Sequence, residues 1–335
     1  MKKQFKIASI GLGWWSDVLA DAVNRYSNQL KIVSCYTRSP DKRAKFSDKY
    51  KCANANSYQE ILDDPNIDGI INTTPNHVHL ETTKAAANAS KHVFLDKPIA
   101  NNVLEAKTIT DECKKTGVTL SVGYQRRRES HFRWIKNQID SGEFGTLVQA
   151  EANISRDREG KFEHGHWRYT ADGMPGGVML QIGLHYVDVL TMLLGPIKSV
   201  SGMASQLVLP GDNPDVGSLL MHHKNGAIST LSTSYASASE YYLLNVYGKK
   251  MSAYYNLFDG LRTLKQNETR QKQIQVEEVD TLLEQLIEWA DAAQNNNKVE
   301  VGGESATKSL AVVLAGIRSA KENRHVQVDE IINQA

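Results

Sequence analysis

Residues 5–16 of this 335-residue chain read FKIASIGLGWWS. The apolar stretch 5–10 predicts a short buried strand, which ends in Gly11-Leu12-Gly13 before a segment that can form a helix. Glycines between a strand and a helix allow a tight turn and a close backbone approach to a pyrophosphate, whose charge the helix amides then meet. Ser16 stands at the third fingerprint position, where glycine or alanine is usual. The stretch therefore predicts a dinucleotide site, with an ordinary glycine turn as the alternative.

Strand and helix patterns alternate from this turn to about Gly123. The apolar strand candidates after the first lie at 30–36, 69–73, 92–95 and 119–122. Helical patterns fill the stretches that separate them. Such alternation is typical of a doubly wound parallel sheet with helices on both faces. We therefore predict an N-terminal Rossmann domain at residues 1–123.

The pattern changes in the remainder of the chain, residues 124–335. Strand-like segments follow one another at 147–155, 197–209, 218–223, 227–236 and 241–247. Because most of these segments have no helix between them, they predict a mostly antiparallel open sheet. Two apolar-faced helices follow near residues 283–290 and 310–317. The predicted fold class is therefore α/β plus α+β, in two domains.

Composition favours a small-molecule partner. The chain has 39 lysine and arginine residues against 38 aspartate and glutamate residues, so its overall charge does not favour nucleic acid or an anionic membrane as a partner. Its three cysteines show no paired spacing, which argues against a disulfide framework or a cysteine-based zinc site. The N-terminus lacks the pattern of a signal peptide, and no apolar run reaches bilayer length. We expect a cytoplasmic protein.

The end of the second predicted strand indicates which dinucleotide is bound. A site that prefers NAD usually has aspartate or glutamate there, about 20 residues after the glycines. Thr37, Arg38 and Ser39 occupy the region instead, and they can donate hydrogen bonds to a 2′-phosphate. We therefore predict NADP(H) as the preferred cofactor, with NAD(H) as the alternative. The other interpretation of Arg38 is an exposed arginine at a helix start that Ser39-Pro40 caps.

Further motifs extend along the whole chain in a fixed order. They are NTTPNHVH at 72–79, DKP at 96–98, GYQRR at 123–127 and GGVMLQIGLHYVD at 176–188. Together with the glycine turn, this series resembles the Gfo/Idh/MocA oxidoreductases. The resemblance implies a dinucleotide-binding Rossmann domain at 1–123 and a substrate-binding and oligomerisation domain at 124–335. It also implies homodimers or homotetramers.

The resemblance identifies two catalytic candidates. Lys97 corresponds to the family lysine beside the nicotinamide and the substrate hydroxyl, where an ammonium can stabilise alkoxide character. Asp96 precedes it where glutamate is common. His185 corresponds to the family histidine, the general base that accepts the hydroxyl proton during oxidation or donates it during reduction. Gln181 replaces a common aspartate; it can bind a hydroxyl, but it cannot relay a proton. Asp188 either faces His185 or forms an ordinary ion pair or cap.

Motif positions and the resemblance together give two sets of contact residues. The predicted cofactor residues are Gly11, Gly13, Trp14, Trp15, Thr37, Arg38, Ser39, Thr74, Pro75, Asn76, His79, Asp96 and Lys97. The predicted substrate residues are Tyr124, Gln125, Arg126, Trp167, Arg168, Gln181 and His185. The arginines can bind an acidic substrate group, with solvated surface charge as the alternative. One ring of the tryptophan pair is expected in the core and the other at a ligand cleft, and the sequence does not decide which.

These patterns favour one function and leave two others open. We expect hydride transfer between the nicotinamide cofactor and a secondary alcohol or ketone of a sugar, polyol or related cyclic diol. A variant is a dihydrodiol dehydrogenase acting on an aromatic acid. The alternative from another class is a non-catalytic NADP-sensing regulator, against which the presence of both Lys97 and His185 argues. We expect no metal, because the pairs His77/His79 and His164/His166 lack further ligands at zinc spacing.

Overall fold

The computed structural model describes residues 4–26, 28–161, 163 and 165–334. The chain divides into two compact units, which we call unit 1 and unit 2. Unit 1 comprises Met1–Gln125 and Asp280–Thr307, and unit 2 comprises Arg126–Val279 and Lys308–Ala335. Residues 280–307 thus return to the first unit late in the sequence. Within the described part of the chain, no helix has the length and apolarity needed to cross a membrane.

Unit 1 contains a six-stranded parallel sheet. Its strands are β1 (Phe5–Ile10), β2 (Leu30–Tyr36), β3 (Ala53–Asn54), β4 (Gly69–Asn72), β5 (His92–Leu95) and β6 (Leu120–Val122). They are ordered β3-β2-β1-β4-β5-β6, and every neighbouring pair is parallel. This order reverses direction between β1 and β4, which is where open α/β sheets bind ligands. The predicted Rossmann domain is confirmed; the two-residue strand β3 was not predicted.

Six helices lie entirely within the described part of unit 1. They are α1 (Trp14–Arg25), α2 (Pro40–Tyr50), α3 (Tyr58–Asp63), α4 (His79–Asn88), α5 (Val103–Thr116) and α8 (Thr281–Asn295). Four of them begin at a residue whose side chain accepts a backbone N–H three positions later. The capping residues are Ser39, Ser57, Asn102 and Asp280. These caps satisfy amide groups that a helix leaves unpaired at its start, so the sequence itself fixes where these helices begin.

Helix α8 belongs to the core of unit 1. Its Trp289 is fully buried and meets the Phe5 ring edge-on, with the ring centroids 5.2 Å apart. A Cβ atom built on Gly69 would lie 2.8 Å from the Trp289 ring, so the indole occupies the space that a side chain at the start of β4 would need. Leu286 and Ala290 extend the same buried face. The helix therefore covers one face of the parallel sheet.

Unit 2 contains a nine-stranded sheet. Its strands are β7 (Leu147–Asp157), β8 (Ile197–Ser205), β9 (Val216–His223), β10 (Ile228–Ser234), β11 (Ala236–Gly248), β12 (Met251–Asn256), β13 (Gly260–Lys265), β14 (Lys272–Ile274) and β15 (Val326–Gln327). The strand order is β14-β13-β12-β11-β7-β10-β9-β8-β15. Only the pair β7–β10 is parallel among these described strands. The predicted mostly antiparallel sheet is confirmed, and β12 to β15 extend it beyond the predicted segments.

Helices cover one face of this sheet. They include α6 (Ser130–Asp140), α7 (Leu184–Leu194) and α10 (Val328–Asn333), while α9 (Gly303–Glu322) begins in the last residues of unit 1. A π-helical turn at Met179–Gly183 leads directly into α7. Alternate residues of β7 are buried on the helix-covered face, as the period of two of a strand requires.

Candidate active site

The glycine turn lies where β1 ends. Gly11 has φ +80°, and a Cβ atom there would lie 2.5 Å from the Thr74 backbone nitrogen. Its own N–H donates to the Tyr36 carbonyl at 3.1 Å. Gly11 is therefore required by the fold itself, because the turn is packed between the ends of β2 and β4.

The space around Gly13 is open, whereas Gly11 is closely packed. It has an ordinary extended φ of −125°, and a Cβ atom built on it would have no neighbour closer than 4.0 Å. Neither backbone strain nor internal packing explains a glycine at this position. The first turn of α1 follows directly, and its amides and dipole favour an anion. The open space over Gly13 fits the close approach of a dinucleotide pyrophosphate.

Ser16 and the tryptophan pair complete this segment. Ser16 is buried, and its hydroxyl donates to the Gly13 carbonyl at 2.6 Å, so serine serves as the small residue that close packing requires. Trp15 packs against the core of unit 1. Trp14 is 70% exposed, and the two ring centroids are 5.4 Å apart. Trp15 is therefore the core ring of the pair, and Trp14 is the ring available to a ligand.

The predicted phosphate-binding segment follows β2. Ser39 caps α2 by accepting the Lys42 N–H at 3.4 Å, as the alternative interpretation expected. Thr37 is partly buried, and Arg38 is exposed. Among the described residues, the Arg38 guanidinium makes no hydrogen bond or ion pair. Arg43, which the sequence analysis missed, donates to the Thr37 carbonyl at 2.8 Å. This hydrogen bond fixes the backbone of the loop that carries Arg38.

The segment after β4 is held by its own side chains. Asn72 accepts hydrogen bonds from the Thr74 N–H and hydroxyl, at 3.2 and 2.7 Å. His79 is fully buried, with its ring nitrogens 2.8 Å from the Thr74 carbonyl and 3.0 Å from the Pro98 carbonyl. Burial lowers the pKa of His79, and the negative charge of Asp96 opposes this shift. His79 therefore ties two loops together, and both ring nitrogens are occupied by protein contacts.

Three predicted residues follow the ends of β4 and β5. Asn76 is buried, and its side-chain amide donates to Asn101 at 3.1 Å, while Pro75 precedes it in the same turn. Asp96 and Lys97 are both half-buried immediately after β5, and the Lys97–Pro98 peptide is cis. The Asp96 N–H donates to the Asn72 carbonyl at 2.9 Å. Lys97 thus lies at the carboxyl edge of the sheet, where β4 and β5 end.

Tyr124 and Gln125 follow β6 at the same edge. Tyr124 is almost fully buried, and its N–H donates to the Val122 carbonyl at 2.9 Å. The buried Oε1 of Gln125 has no hydrogen-bond partner among the described residues. A buried amide oxygen without a donor is costly, and a ligand hydroxyl or carboxamide can satisfy it. The open space at Gly13 and this unpaired acceptor are compatible with a nicotinamide dinucleotide bound to unit 1.

The site candidates of unit 2 surround α7. His185 is 6% exposed in the first turn of that helix, and Gln181 lies in the preceding π-helical turn. π-helical hydrogen bonds span five residues, so the regular spacing of an α-helix between these two side chains is interrupted. Asp188 forms a bidentate pair with Arg127, at 2.7 Å from Nε and 2.5 Å from Nη2. The ion-pair interpretation of Asp188 is therefore the one that the structure supports.

The remaining predicted substrate residues are aromatic and cationic. Arg126 donates to Glu129 at 2.8 Å, and its guanidinium lies 4.2 Å from the Tyr242 ring centroid. Arg168 lies 4.1 Å from the ring of Trp167. The sequence analysis missed Tyr242, because a tyrosine in a strand carries no signal of its cationic neighbours. The structure therefore surrounds Arg126 with side chains that distant parts of unit 2 supply.

Among the described residues, no group of three or more histidine, cysteine, aspartate or glutamate side chains is arranged to hold an ion. His164 lies outside the described residues, so the His164/His166 pair cannot be described as a whole.

Two family profiles match the chain. The NAD-binding Rossmann fold of the GFO/IDH/MocA oxidoreductase family matches residues 5–124, and the GFO/IDH/MocA C-terminal domain matches residues 132–254. A crystal structure of a protein from Desulfitobacterium hafniense DCB-2 shows 33% sequence identity and a TM-score of 0.94, over 99% of this chain and 100% of that one.

Curated relatives agree with this assignment. The myo-inositol 2-dehydrogenase of Thermotoga maritima is 24% identical over 82% of this chain and 83% of its own. The NADP⁺-dependent scyllo-inositol 2-dehydrogenase IolW of Bacillus subtilis is 32% identical over 43% of this chain and 39% of its own. The resemblance of the ordered motifs is thereby confirmed: the chain belongs to the Gfo/Idh/MocA family and is an NAD(P)-dependent oxidoreductase.

Proposed function

We propose that this oxidoreductase transfers hydride between NADP(H) and a secondary alcohol or ketone of a sugar, polyol or related cyclic diol. One observation carries the proposal. The glycine turn and the segments 74–76, 96–97 and 124–125 follow the carboxyl ends of β1, β4, β5 and β6, which are adjacent in the sheet. Ligands of open α/β sheets bind at that edge. The inositol dehydrogenases among the relatives support an alcohol of this class.

Each residue has a distinct role in the proposed reaction. When bound, a nicotinamide cofactor accepts or supplies the hydride. The space over Gly13 and the first turn of α1 receive the pyrophosphate, while the Oε1 atom of Gln125 accepts a hydrogen bond from the ligand. Lys97 stabilises negative charge on the reacting substrate oxygen. His185 accepts the hydroxyl proton during oxidation and returns it during reduction. Gln181 orients a substrate hydroxyl, since its amide transfers no proton.

A substrate panel tests the function. The purified protein is mixed with NADP⁺ or NAD⁺ and neutral polyols, aldoses, inositols or dihydrodiols, and with NADPH and the matching ketones, while absorbance of the reduced nicotinamide is followed. We expect turnover with at least one secondary alcohol or ketone, and a lower KM for NADP(H) than for NAD(H). Tight cofactor binding without turnover across the panel would contradict the enzyme and favour a nucleotide sensor.

The preference for NADP(H) rests on the end of β2. Arg38 is exposed with its guanidinium unengaged by described residues, while Thr37 and Ser39 flank it. A guanidinium suits a 2′-phosphate dianion, since both charge and hydrogen-bond geometry match. Arg43 keeps the loop in shape through the carbonyl groups of Thr37 and Arg38.

Arg38→Ala should weaken NADPH binding by about tenfold to a hundredfold, the effect of losing hydrogen bonds to a charged group. The affinity for NADH should stay within about twofold, because NADH lacks the phosphate. Titration calorimetry with both dinucleotides measures the difference. Lys45→Ala is the matched control, because it removes an exposed cation from α2 in the same unit. Unchanged NADPH affinity in Arg38→Ala, or an equal loss in Lys45→Ala, would show that Arg38 does not contact the phosphate.

We further propose that the protein forms a homodimer or homotetramer through the sheet of unit 2. The face of β8, β9 and β10 away from the helices exposes Met203, Leu220 and Ile228, which are 79%, 50% and 46% accessible. A second copy of the same face would cover this apolar surface. A cytoplasmic location is part of the proposal, because the thiols of Cys35, Cys52 and Cys113 are free and suit a reducing compartment.

A further inference from the structure

Unit 2 contains a group of cationic and phenolic side chains that extends beyond the predicted substrate residues Arg126 and Arg168. We call it the arginine cluster, and it consists of Arg126, Arg156, Arg158, Arg168, Tyr235 and Tyr242. The guanidinium carbons of Arg126 and Arg156 lie 4.2 and 5.3 Å from the centroid of the same ring, that of Tyr242. The guanidinium carbon of Arg158 lies 5.8 Å from the ring of Tyr235. Three of the four guanidinium groups thus lie beside the two phenol rings.

Backbone contacts hold the cluster in place. Arg156 lies near the end of β7, and Arg158 follows two residues later. The Arg158 N–H donates to the Tyr235 carbonyl at 2.9 Å, and the Tyr235 N–H donates to the Asp215 carbonyl at 2.7 Å. In the ladder between β7 and β11, Tyr242 pairs with Ile154, which shares its face of the strand with Arg156. Strands β7 and β11 therefore position Arg156 and Tyr242, and backbone hydrogen bonds fix Arg158 and Tyr235 beside them.

Positive charge in the cluster exceeds the negative charge that compensates it. Arg126 pairs with Glu129 at 2.8 Å, and Arg156 pairs with Glu240 at 3.0 Å. Arg158 forms no ion pair with any described residue, and its Nε is buried without a hydrogen-bond partner. Burial lowers the pKa of the Arg156 guanidinium, and the positive charge of Arg126 lowers it further. An additional anion would relieve the repulsion among these cations.

The phenols supply further unused donors. Tyr235 is 5% exposed and Tyr242 is 6% exposed, and neither hydroxyl has a hydrogen-bond partner among the described residues. Burial raises the pKa of Tyr235, while the charges of Arg158, Arg156 and Arg168 oppose the increase, so these three cations act on that hydroxyl. A buried donor without an acceptor is unfavourable. The cluster therefore combines unpaired positive charge with neutral donors that need an acceptor.

We propose that the arginine cluster binds a carboxylate or phosphate group of the substrate. A planar guanidinium matches either anion, and a phenol hydroxyl donates to either. The inference rests on the proposed function and narrows its substrate class to acidic derivatives of sugars, polyols or diols. Arg158 and Tyr235 are then specificity residues: they select the substrate by its charged group and take no part in hydride transfer.

Direct binding tests this inference without requiring turnover. Titration calorimetry at low ionic strength compares D-gluconate and D-glucose 6-phosphate with neutral D-glucose on the full-length protein. We expect at least one anion to bind about tenfold more tightly than glucose, and the better of the two distinguishes a carboxylate site from a phosphate site. Arg158→Gln should weaken binding of that anion by about tenfold to a hundredfold and leave glucose binding unchanged.

Two further variants show whether weaker anion binding comes from the site itself, from unfolding or from the lower net charge. Tyr235→Phe retains the ring and removes the hydroxyl, and it should weaken anion binding by about tenfold. Arg270→Gln removes one exposed cation from the same unit and should have no effect. The inference is wrong if both anions bind no better than glucose, or if Arg158→Gln and Tyr235→Phe bind them as the wild type does. Turnover of neutral polyols would then leave the proposed function intact, whereas anion binding without hydride transfer to any substrate would contradict the proposed function alone.

Discussion

Lys97→Met is expected to lower kcat by roughly 10²–10⁴-fold, the range found when a group that stabilises developing charge or transfers a proton is removed. Lys97 follows β5 at the edge of the sheet where the glycine turn lies, and it is half-buried. Methionine keeps an unbranched, flexible side chain there and removes the ammonium group. The affinity for NADPH should change by less than about threefold, because the proposed pyrophosphate contacts are at Gly13 and α1. Steady-state kinetics and cofactor titration measure the two quantities separately.

Lys84→Met is the matched control, since Lys84 is exposed on α4 in the same unit and the change removes the same charge. It should retain the kcat of the parent protein. A loss of kcat and of kcat/KM to the same extent in Lys97→Met would indicate an interaction made in the transition state. Full activity of Lys97→Met, or a parallel loss of NADPH binding, would contradict the assigned role.

The parallel sheet was predictable because its strands are buried on both faces and therefore form short apolar runs between helices. Strands β12 to β15 were not predicted, and β14 shows a physical reason. β14 has only three residues, and its sequence KQI contains a single apolar side chain. Pairing with β13 determines this strand, and β propensity by itself is too dependent on context to reveal it.

The position of α8 shows a second limit of sequence analysis. Its apolar stripe predicted a helix that packs on something, but a stripe does not identify the surface it covers. That information is in a contact between residues 220 positions apart: the Trp289 indole fills the space at Gly69, which has no side chain. The packing of α8 against this core is the reason that residues 280–307 belong to unit 1.

In the site, the residues marked by ordered motifs were predicted, and the residues that hold or supplement them were not. Gly11 and Gly13 appear equivalent in sequence, yet packing requires the first, and only open space surrounds the second. The contacts of Arg43 with the phosphate-binding loop, and of Arg158 with Tyr235, join residues that carry no shared sequence signal. Charge pattern alone does not distinguish such contacts from a solvated surface.

The buried pair of Arg127 and Asp188 provides the second large expected effect. Both side chains are nearly inaccessible, at 9% and 1%, and two hydrogen bonds join them. Asp188→Ala should lower the free energy of unfolding by about 3–5 kcal/mol, because it leaves the guanidinium buried without a counter-charge. Urea denaturation measures the loss. Asp259→Ala, which breaks an exposed pair with Arg262, should cost less than about 1 kcal/mol.

The double variant Arg127→Met/Asp188→Leu tests whether the pair is needed for its charges or only for holding α7 in position. It removes both charges and fills the volume with apolar groups, so its stability should recover to within about 1–2 kcal/mol of the parent protein, since well-packed apolar replacements of buried pairs are often neutral. Asp188 lies one turn after His185 on α7, so the pair fixes the helix that carries the proposed base. If the pair serves only to position this helix, the double variant should also recover most of kcat, with the same pH profile as the parent. Recovered stability without recovered activity would instead give the charges of the pair a direct part in the reaction.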